Sequence, residues 1–155
     1  RHTISHSMNW LMNNPDQMAL LKEKPEMIPW AVEEFLRCAS PVYHFRRTAT
    51  KDVEFHDKTI KAGDKVLTWF ASGNRDESIF EDPNRMDVTR NPNEHMTFGR
   101  GGPHMCLGNS LARLEIQIMF EDLLSRNIDL VPNGKADYVY SNFVHGFKRL
   151  PVKKA

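Results

Sequence analysis

The sequence predicts a mainly α-helical protein with small β-sheets. Helices are indicated by apolar residues that recur three and four positions apart, most clearly over residues 107–126. Strands are indicated by short runs of β-branched and aromatic residues between turn-forming pairs such as Ala62-Gly63. The apolar residues that carry the helical spacing in the 107–126 segment are Leu111, Leu114, Ile118, Leu123 and Leu124.

Composition indicates one globular unit. With 155 residues, of which 40% are hydrophobic, the chain can bury a single core. The net charge of +1 gives no reason to expect nucleic acid or an anionic membrane as the main partner. Two cysteines provide no disulfide framework and favour a reducing compartment, and no apolar run is long enough to span a bilayer. The expected protein is soluble and cytoplasmic.

Three helices are predicted before residue 40. The first runs from the start of the chain to Asn13-Asn14-Pro15, and the others cover residues 15–24 and 25–39. No N-cap precedes the first helix, and Arg1 stands where an initiator Met would be. These two observations favour a chain that starts inside a longer helix, with a frayed terminal helix as the alternative.

Short strands and a long loop are predicted for the rest of the chain. Strands are expected over 42–50, 53–55 and 59–61, while 66–74 is ambiguous between a strand and a short helix. Residues 75–95 are polar and interrupted by prolines, which predicts an irregular loop. After the helix at 107–126, short strands are expected at 138–140, 143–144 and 148–152.

The stretch from Thr97 to Gly108 concentrates residues with chemical potential. It contains four glycines, Pro103, His104 and Cys106, and a predicted helix follows it directly. A thiol at a helix start lies beside free backbone N–H groups and the positive end of the helix dipole, which stabilise a thiolate. Glycines on either side let the backbone approach a large flat group. The pattern favours a thiolate ligand for a metal cofactor.

Other interpretations of this stretch are available. A lone cysteine is often a small apolar filler of the core. A glycine-rich loop before a helix can bind phosphate, although no G-K-[ST] ending and no clear preceding strand accompany it here. A zinc site needs about four ligands, whereas His104 and Cys106 supply two and Cys38 is distant in sequence. None of these explains Phe98, His104 and Gly108 together.

The segment from Phe98 to Gly108 resembles the haem-binding loop of the cytochromes P450. That loop has the form F-G-x-G-x-H-x-C-x-G, and this sequence carries one more residue between Phe and Cys, as some soluble bacterial members do. The resemblance implies that Cys106 is the proximal iron ligand, that Phe98 packs near its sulfur and that His104 reaches a haem propionate. The remaining cofactor-binding residues that it implies are Gly99, Gly101, Gly108 and Arg47.

A second motif lies in the third predicted helix. Glu34 and Arg37 are three residues apart, so they share a helix face and can form an ion pair. Alone, this spacing fits a solvated surface pair. Beside the cysteine loop it resembles the E-x-x-R motif of the same family, whose ion pair is buried and structural. By similarity to the family's P-E-R-F segment, Arg85 is expected to be the third member of this network.

The resemblance also implies which residues lie around the haem, at its propionates and on its substrate-binding side. Arg47 resembles the propionate-binding arginine, with Arg46 as the alternative, since the spacing to Arg37 favours Arg46 and the spacing to Asp52 favours Arg47. A solvated strand arginine is the plain alternative for both. The resemblance also implies four residues on the distal side of the haem, three of them apolar, which suits an apolar substrate. These four are Val42, His44, Phe143 and Val144, with His44 as the polar contact and a core-facing role as the alternative for the last two.

The resemblance extends from Arg1 to Val152 and corresponds to the carboxy-terminal portion of a P450, so residues 1–155 are expected to form that part of one domain. It implies a monooxygenase with haem b that inserts one oxygen atom from O₂ into a fatty-acyl, alkane, terpenoid or steroid skeleton. The A-G-x-[DE]-T segment is expected upstream, so this chain alone should be inactive. A ferredoxin-type electron donor is expected, and a haem-thiolate module that binds or senses without oxygenating is the alternative.

Overall fold

The structure is a computed structural model that describes residues 1–155. Its first three helices are α1 (His2–Asn13), α2 (Pro15–Glu23) and α3 (Ile28–Ala39), and one 3₁₀ turn, Pro25–Met27, leads into α3. Proline opens both α2 and the 3₁₀ turn, a position where the missing N–H costs no hydrogen bond. The helices predicted before residue 40 are confirmed.

Helix α3 lies at the centre of the core, between α1 and the long helix α5 (Asn109–Ser125). The Phe35 ring on α3 packs against Phe120 on α5 with ring centroids 4.7 Å apart. Both side chains are buried, and each such burial stabilises the fold by about 1.5–3 kcal/mol. The main cluster further includes Met8, Leu11, Leu21, Ile28, Ala31, Val32, Leu36, Ile116, Leu123 and Leu124.

The apolar residues of α5 divide between two faces. Leu123 and Leu124 are buried against the core, whereas Leu111, Leu114 and Ile118 are each more than half exposed. The helix prediction is confirmed, although only Leu123 and Leu124 of the five residues that predicted it are buried, and Ile116 and Phe120 complete the buried face.

Eight strands form four separate two-stranded antiparallel sheets. This arrangement confirms the expected small β-sheets, and residues 66–74 divide into the end of β4 and the short helix α4 (Phe70–Gly73). None of the helices combines the length and the hydrophobicity that a membrane span requires. The paired strands are β1 (His44–Thr48) with β4 (Lys65–Trp69), β2 (Val53–Phe55) with β3 (Lys58–Ile60), β5 (Leu130–Pro132) with β8 (Val152–Lys154), and β6 (Asp137–Tyr138) with β7 (Phe147–Arg149).

The carboxy-terminal strands differ from the prediction. A single strand over 148–152 is wrong, because Leu150 and Pro151 separate β7 from β8, and proline has no N–H to donate to a ladder. The expected strand at 143–144 is reduced to one isolated bridge between Val144 and Val42. Strand β5 was not predicted. The irregular loop expected over 75–95 is confirmed.

Candidate functional site

Cys106 ends an irregular loop just before α5, and its side chain is exposed. The Cys106 N–H donates to the Phe98 carbonyl at 2.9 Å, which closes the loop on itself. The Cys106 carbonyl accepts a hydrogen bond of 2.7 Å from the Asn109 side-chain amide. The thiol is therefore held at the start of α5, where the helix dipole favours negative charge.

Three glycines give this loop its shape. Gly99, Gly101 and Gly102 have φ angles of 74°, 69° and 76°, in the left-handed region that other residues rarely adopt. A Cβ added to Gly101 or Gly102 would meet no atom within 4 Å, so the requirement there comes from the backbone and not from crowding. Gly108 is different, because its φ is −85° and it precedes α5 as the N-cap.

A cavity of about 510 Å³ lies between this loop and strand β1. The side chains of Phe98, Phe70, Met96 and Met105 make much of its wall apolar. Seven residues expected to bind cofactor or substrate line this cavity together, whereas Gly108 does not. These seven are Val42, Arg47, Phe98, Gly99, Gly101, His104 and Cys106.

The two adjacent arginines of β1 lie on opposite sides of the strand. Arg47 lines the cavity that contains Cys106, while Arg46 lines a second groove with Lys65 and Leu67. This separation follows from the two-residue period of a β-strand. The geometry thus favours Arg47 over Arg46 as the arginine near the thiol.

The four expected substrate residues are not all brought to the same place. Val42 lines the cavity beside Cys106, whereas His44 and Phe143 line the groove on the other side of β1. Val144 is joined to Val42 by the isolated bridge. The His44 and Phe143 rings contact each other edge to face, with centroids 5.8 Å apart.

Glu34 and Arg37 form a buried ion pair in which both side chains are fully inaccessible. Arg37 Nε and Nη2 donate to the two carboxylate oxygens at 2.7 and 2.8 Å. Burial would raise the pKa of Glu34, but hydrogen bonds from Arg37 and the Asp87 N–H outweigh it, so the pKa lies below its usual range. The surface-pair alternative is therefore excluded.

The expected third member of this network, Arg85, is wrong as a side-chain partner. Its side chain is exposed, and only its backbone carbonyl takes part, accepting from Arg37 Nη2 at 3.0 Å. Arg90 takes the charged role instead, with Nε 3.3 Å from Glu34 Oε2, and Asn93 Nδ2 donates to the same oxygen at 2.9 Å. Neither residue was predicted, because an irregular loop has no periodic pattern from which the direction of a side chain can be inferred.

A third set of polar residues lies beside the cysteine loop and was also missed. Glu33 on α3 accepts hydrogen bonds from His95, which precedes the loop, and from Arg113 on α5. The Arg113 guanidinium lies over the Phe98 ring, 4.8 Å from its centroid. Sequence reasoning could place Glu33 and Arg113 only on two separate predicted helices, because their pairing depends on the packing of α3 against α5.

The residues around the cavity fit a haem. Cys106 offers one soft sulfur ligand, and apolar walls surround the space in front of it. Arg47 and His104 provide nitrogen donors on the same cavity, as two propionate carboxylates require.

A thiol at a helix start that opens onto a largely apolar cavity, in a fold with a buried Glu–Arg pair, is the arrangement expected of a thiolate-ligated cofactor protein. The family model for cytochrome P450 matches residues 2–137, and the chain belongs to the cytochrome P450 family. Linalool 8-monooxygenase of Pseudomonas putida is 44% identical over 98% of this chain and 37% of its own length.

Two further relatives match nearly the whole of this chain and a similar share of their own length. Steroid C26-monooxygenase of Mycobacterium tuberculosis is 43% identical, with 98% of this chain and 41% of that protein covered. The solved structure of cytochrome P450-153 from Novosphingobium aromaticivorans superimposes with a TM-score of 0.96 at 41% identity, covering 100% of this chain and 39% of that one. The chain thus spans about two fifths of the length of these relatives, and their fold confirms the predicted P450 fold.

Proposed function

We propose that residues 1–155 form the carboxy-terminal portion of a haem-thiolate monooxygenase that contains haem b. The observation that carries the proposal is the single cavity onto which Cys106, His104 and Arg47 all open. When bound, the haem supplies activation of O₂ and insertion of one oxygen atom into a C–H bond. Membership of the P450 family supports this assignment.

The residues of this chain have separate roles in the proposal. Cys106 binds the iron through its sulfur, and the hydrogen bond from its N–H to Phe98 keeps the thiol directed at the cavity. Arg47 and His104 bind the propionates. Gly99 and Gly101 shape the loop, and Gly108 begins the helix behind the ligand.

The Cys106 assignment is tested by the carbon monoxide difference spectrum of the reduced complete protein. We expect the thiolate-type Soret band in the parent and its loss in Cys106→Ala. Cys38→Ala is the matched control, because burial and the neighbouring Glu34 raise the pKa of Cys38 to about 12 and keep it a thiol. A thiolate band that survives in Cys106→Ala would disprove the assignment.

The proposed substrate is apolar: a fatty-acyl chain, an alkane, a terpenoid or a steroid. Val42 and the apolar cavity wall support it, as do relatives whose names include linalool and steroid C26 oxidation. We propose His44 and Phe143, which line the groove next to the cavity, as further substrate contacts. We also propose Val144, which is bridged to the cavity residue Val42.

The proposed partners are O₂ and a ferredoxin-type electron donor, because monooxygenation at a haem consumes electrons that an external donor delivers. We also propose a cytoplasmic location. Its support is the pair of free thiols, Cys38 and Cys106, which persist best in a reducing compartment.

Arg47→Ala is expected to accelerate haem loss from the complete protein by about tenfold, whereas Arg46→Ala leaves it unchanged. A charge-assisted hydrogen bond to a carboxylate is worth about 1.5–3 kcal/mol, and only Arg47 lines the Cys106 cavity. Haem transfer to apomyoglobin measures the rate. Equal rates in the two variants would remove Arg47 from the propionate site.

A further inference from the structure

Glu33, His95 and Arg113 come from three different segments and meet behind the cysteine loop. Arg113 Nε and Nη2 donate to the two Glu33 carboxylate oxygens at 2.6 and 2.9 Å, so the pair is bidentate. His95 Nε2 lies 2.9 Å from Glu33 Oε2, and the His95 side chain is 3% exposed. This set therefore joins α3 and α5 to the loop between them.

The protonation of the set can be assigned from its hydrogen bonds. The Thr97 N–H donates to His95 Nδ1 at 3.2 Å, so Nδ1 accepts and Nε2 carries the proton that is donated to Glu33. Burial would raise the pKa of Glu33, but the hydrogen bonds from His95 and Arg113 outweigh it and lower the pKa to about 2. The negative charge of Glu33 is thus paired with the positive charge of Arg113.

Two contacts connect this set to the cysteine loop. The Arg113 guanidinium lies against the face of the Phe98 ring, whose other neighbours include the cavity, and the His95 ring meets Phe98 edge to face at 5.9 Å. Arg113 Nη1 also donates to Asn109 Oδ1 at 2.9 Å, and Asn109 in turn donates to the Cys106 carbonyl. Arg113 therefore contacts the side chains of both residues, Phe98 and Asn109, that form hydrogen bonds with the Cys106 backbone.

We propose that Glu33, His95 and Arg113 are positioning residues for the Cys106 thiolate, and that the balance of the Glu33 and Arg113 charges sets the reduction potential of the metal it binds. This inference rests on the proposed haem-thiolate function. A positive charge left unpaired beside the site favours the reduced metal, and a negative charge favours the oxidised one.

The test compares reduction potentials of the haem-loaded complete protein by spectroelectrochemistry. Glu33→Gln leaves Arg113 unpaired and is expected to raise the potential by about 59 mV, a tenfold change in the one-electron equilibrium. Arg113→Gln leaves Glu33 unpaired and is expected to lower the potential by a similar amount. The double variant is expected to return close to the parent.

Two controls separate charge from mere structure. Arg113→Lys keeps the charge and is expected to keep the potential near that of the parent. If Arg113→Gln does not fold, the single variants Glu33→Gln and Arg113→Lys still provide the test. Asp122→Asn removes a carboxylate from an exposed pair at the far end of α5 and is expected to change nothing.

Shifts of the same sign in Glu33→Gln and Arg113→Gln would overturn the inference, as would unchanged potentials in variants with intact thiolate spectra. A parent protein without a thiolate-type band would instead overturn the proposed function itself, and the inference with it. The two failures are therefore distinguished by the spectrum of the parent.

Discussion

Replacing Glu34 by alanine is expected to lower the free energy of unfolding by about 3–5 kcal/mol, because it leaves the Arg37 guanidinium buried without its counter-charge. The same change removes the acceptor of the Asp87 N–H and of the Asn93 side chain, both at 2.9 Å. Urea unfolding of the complete protein, followed by circular dichroism, measures the loss, and haem content should fall with it.

An exposed ion pair provides the matched control for Glu34. Asp122 on α5 and Arg126, which follows the helix, lie 2.9 Å apart with side chains 53% and 65% exposed, so Asp122→Ala is expected to cost about 0.5 kcal/mol or less. A Glu34→Ala variant as stable as Asp122→Ala would show that the buried pair contributes nothing to the fold.

Two further variants compare Arg85, the predicted third member of this network, with Arg90, the observed one. Arg85→Ala keeps the carbonyl that accepts from Arg37 and should leave stability nearly unchanged. Arg90→Ala removes a side chain that is 14% exposed and lies against Glu34. It should therefore lower the free energy of unfolding more than Arg85→Ala does.

The ion pair of α3 could be predicted because a helix has a fixed period. Residues three apart share a face whatever the rest of the chain does, and the resemblance to the E-x-x-R motif implied that the pair is buried. The third member could not be predicted in the same way. Its position depends on the path of the loop over 75–95, where the backbone carbonyls of Pro83 and Arg85 accept hydrogen bonds from Arg37.

The cavity beside Cys106 was likewise predictable only in part. The loop from Thr97 to Gly108 could be identified from residue types alone, since positive φ, a thiol and a helix start are local properties. Strand alternation required Arg46 and Arg47 to lie on opposite sides, but which one faces Cys106 depends on the orientation of β1 in the fold. The same uncertainty explains why His44 and Phe143 were expected on the cavity and lie on the groove beside it.

Histidine contacts between opposite ends of the chain were beyond sequence reasoning. The His6 ring of α1 lies 3.9 Å, centroid to centroid, from His145 and 4.6 Å from Phe147, and its Nε2 has no hydrogen-bond partner. No local pattern relates these positions, because only the packing of the carboxy-terminal strands on α1 brings them together. The resulting burial has a measurable consequence for stability.

The free energy of unfolding is expected to fall by up to about 3 kcal/mol as the pH is lowered from about 6.5 to about 4. Burial, and then the charge of His145, lower the pKa of His6 from 6.5 to about 4. In the unfolded chain His6 titrates near 6.5, so between these values the unfolded state binds more protons. The His6 contribution is therefore fully present above pH 6.5 and is lost as the pH falls.

Urea unfolding at half-unit pH steps tests this expectation, with His6→Phe as the decisive variant because it keeps an aromatic ring against Phe147 but cannot take up a proton. Its stability should depend much less on pH between 6.5 and 4 than that of the parent. His56→Asn, at an exposed turn, is the control and should keep the parental slope. The Glu33 contribution overlaps only the acid end of this range, since its pKa is lowered from 4.5 to about 2 and the contribution is lost only below about pH 4.5. An unchanged slope in His6→Phe would show that His6 is not the titrating group.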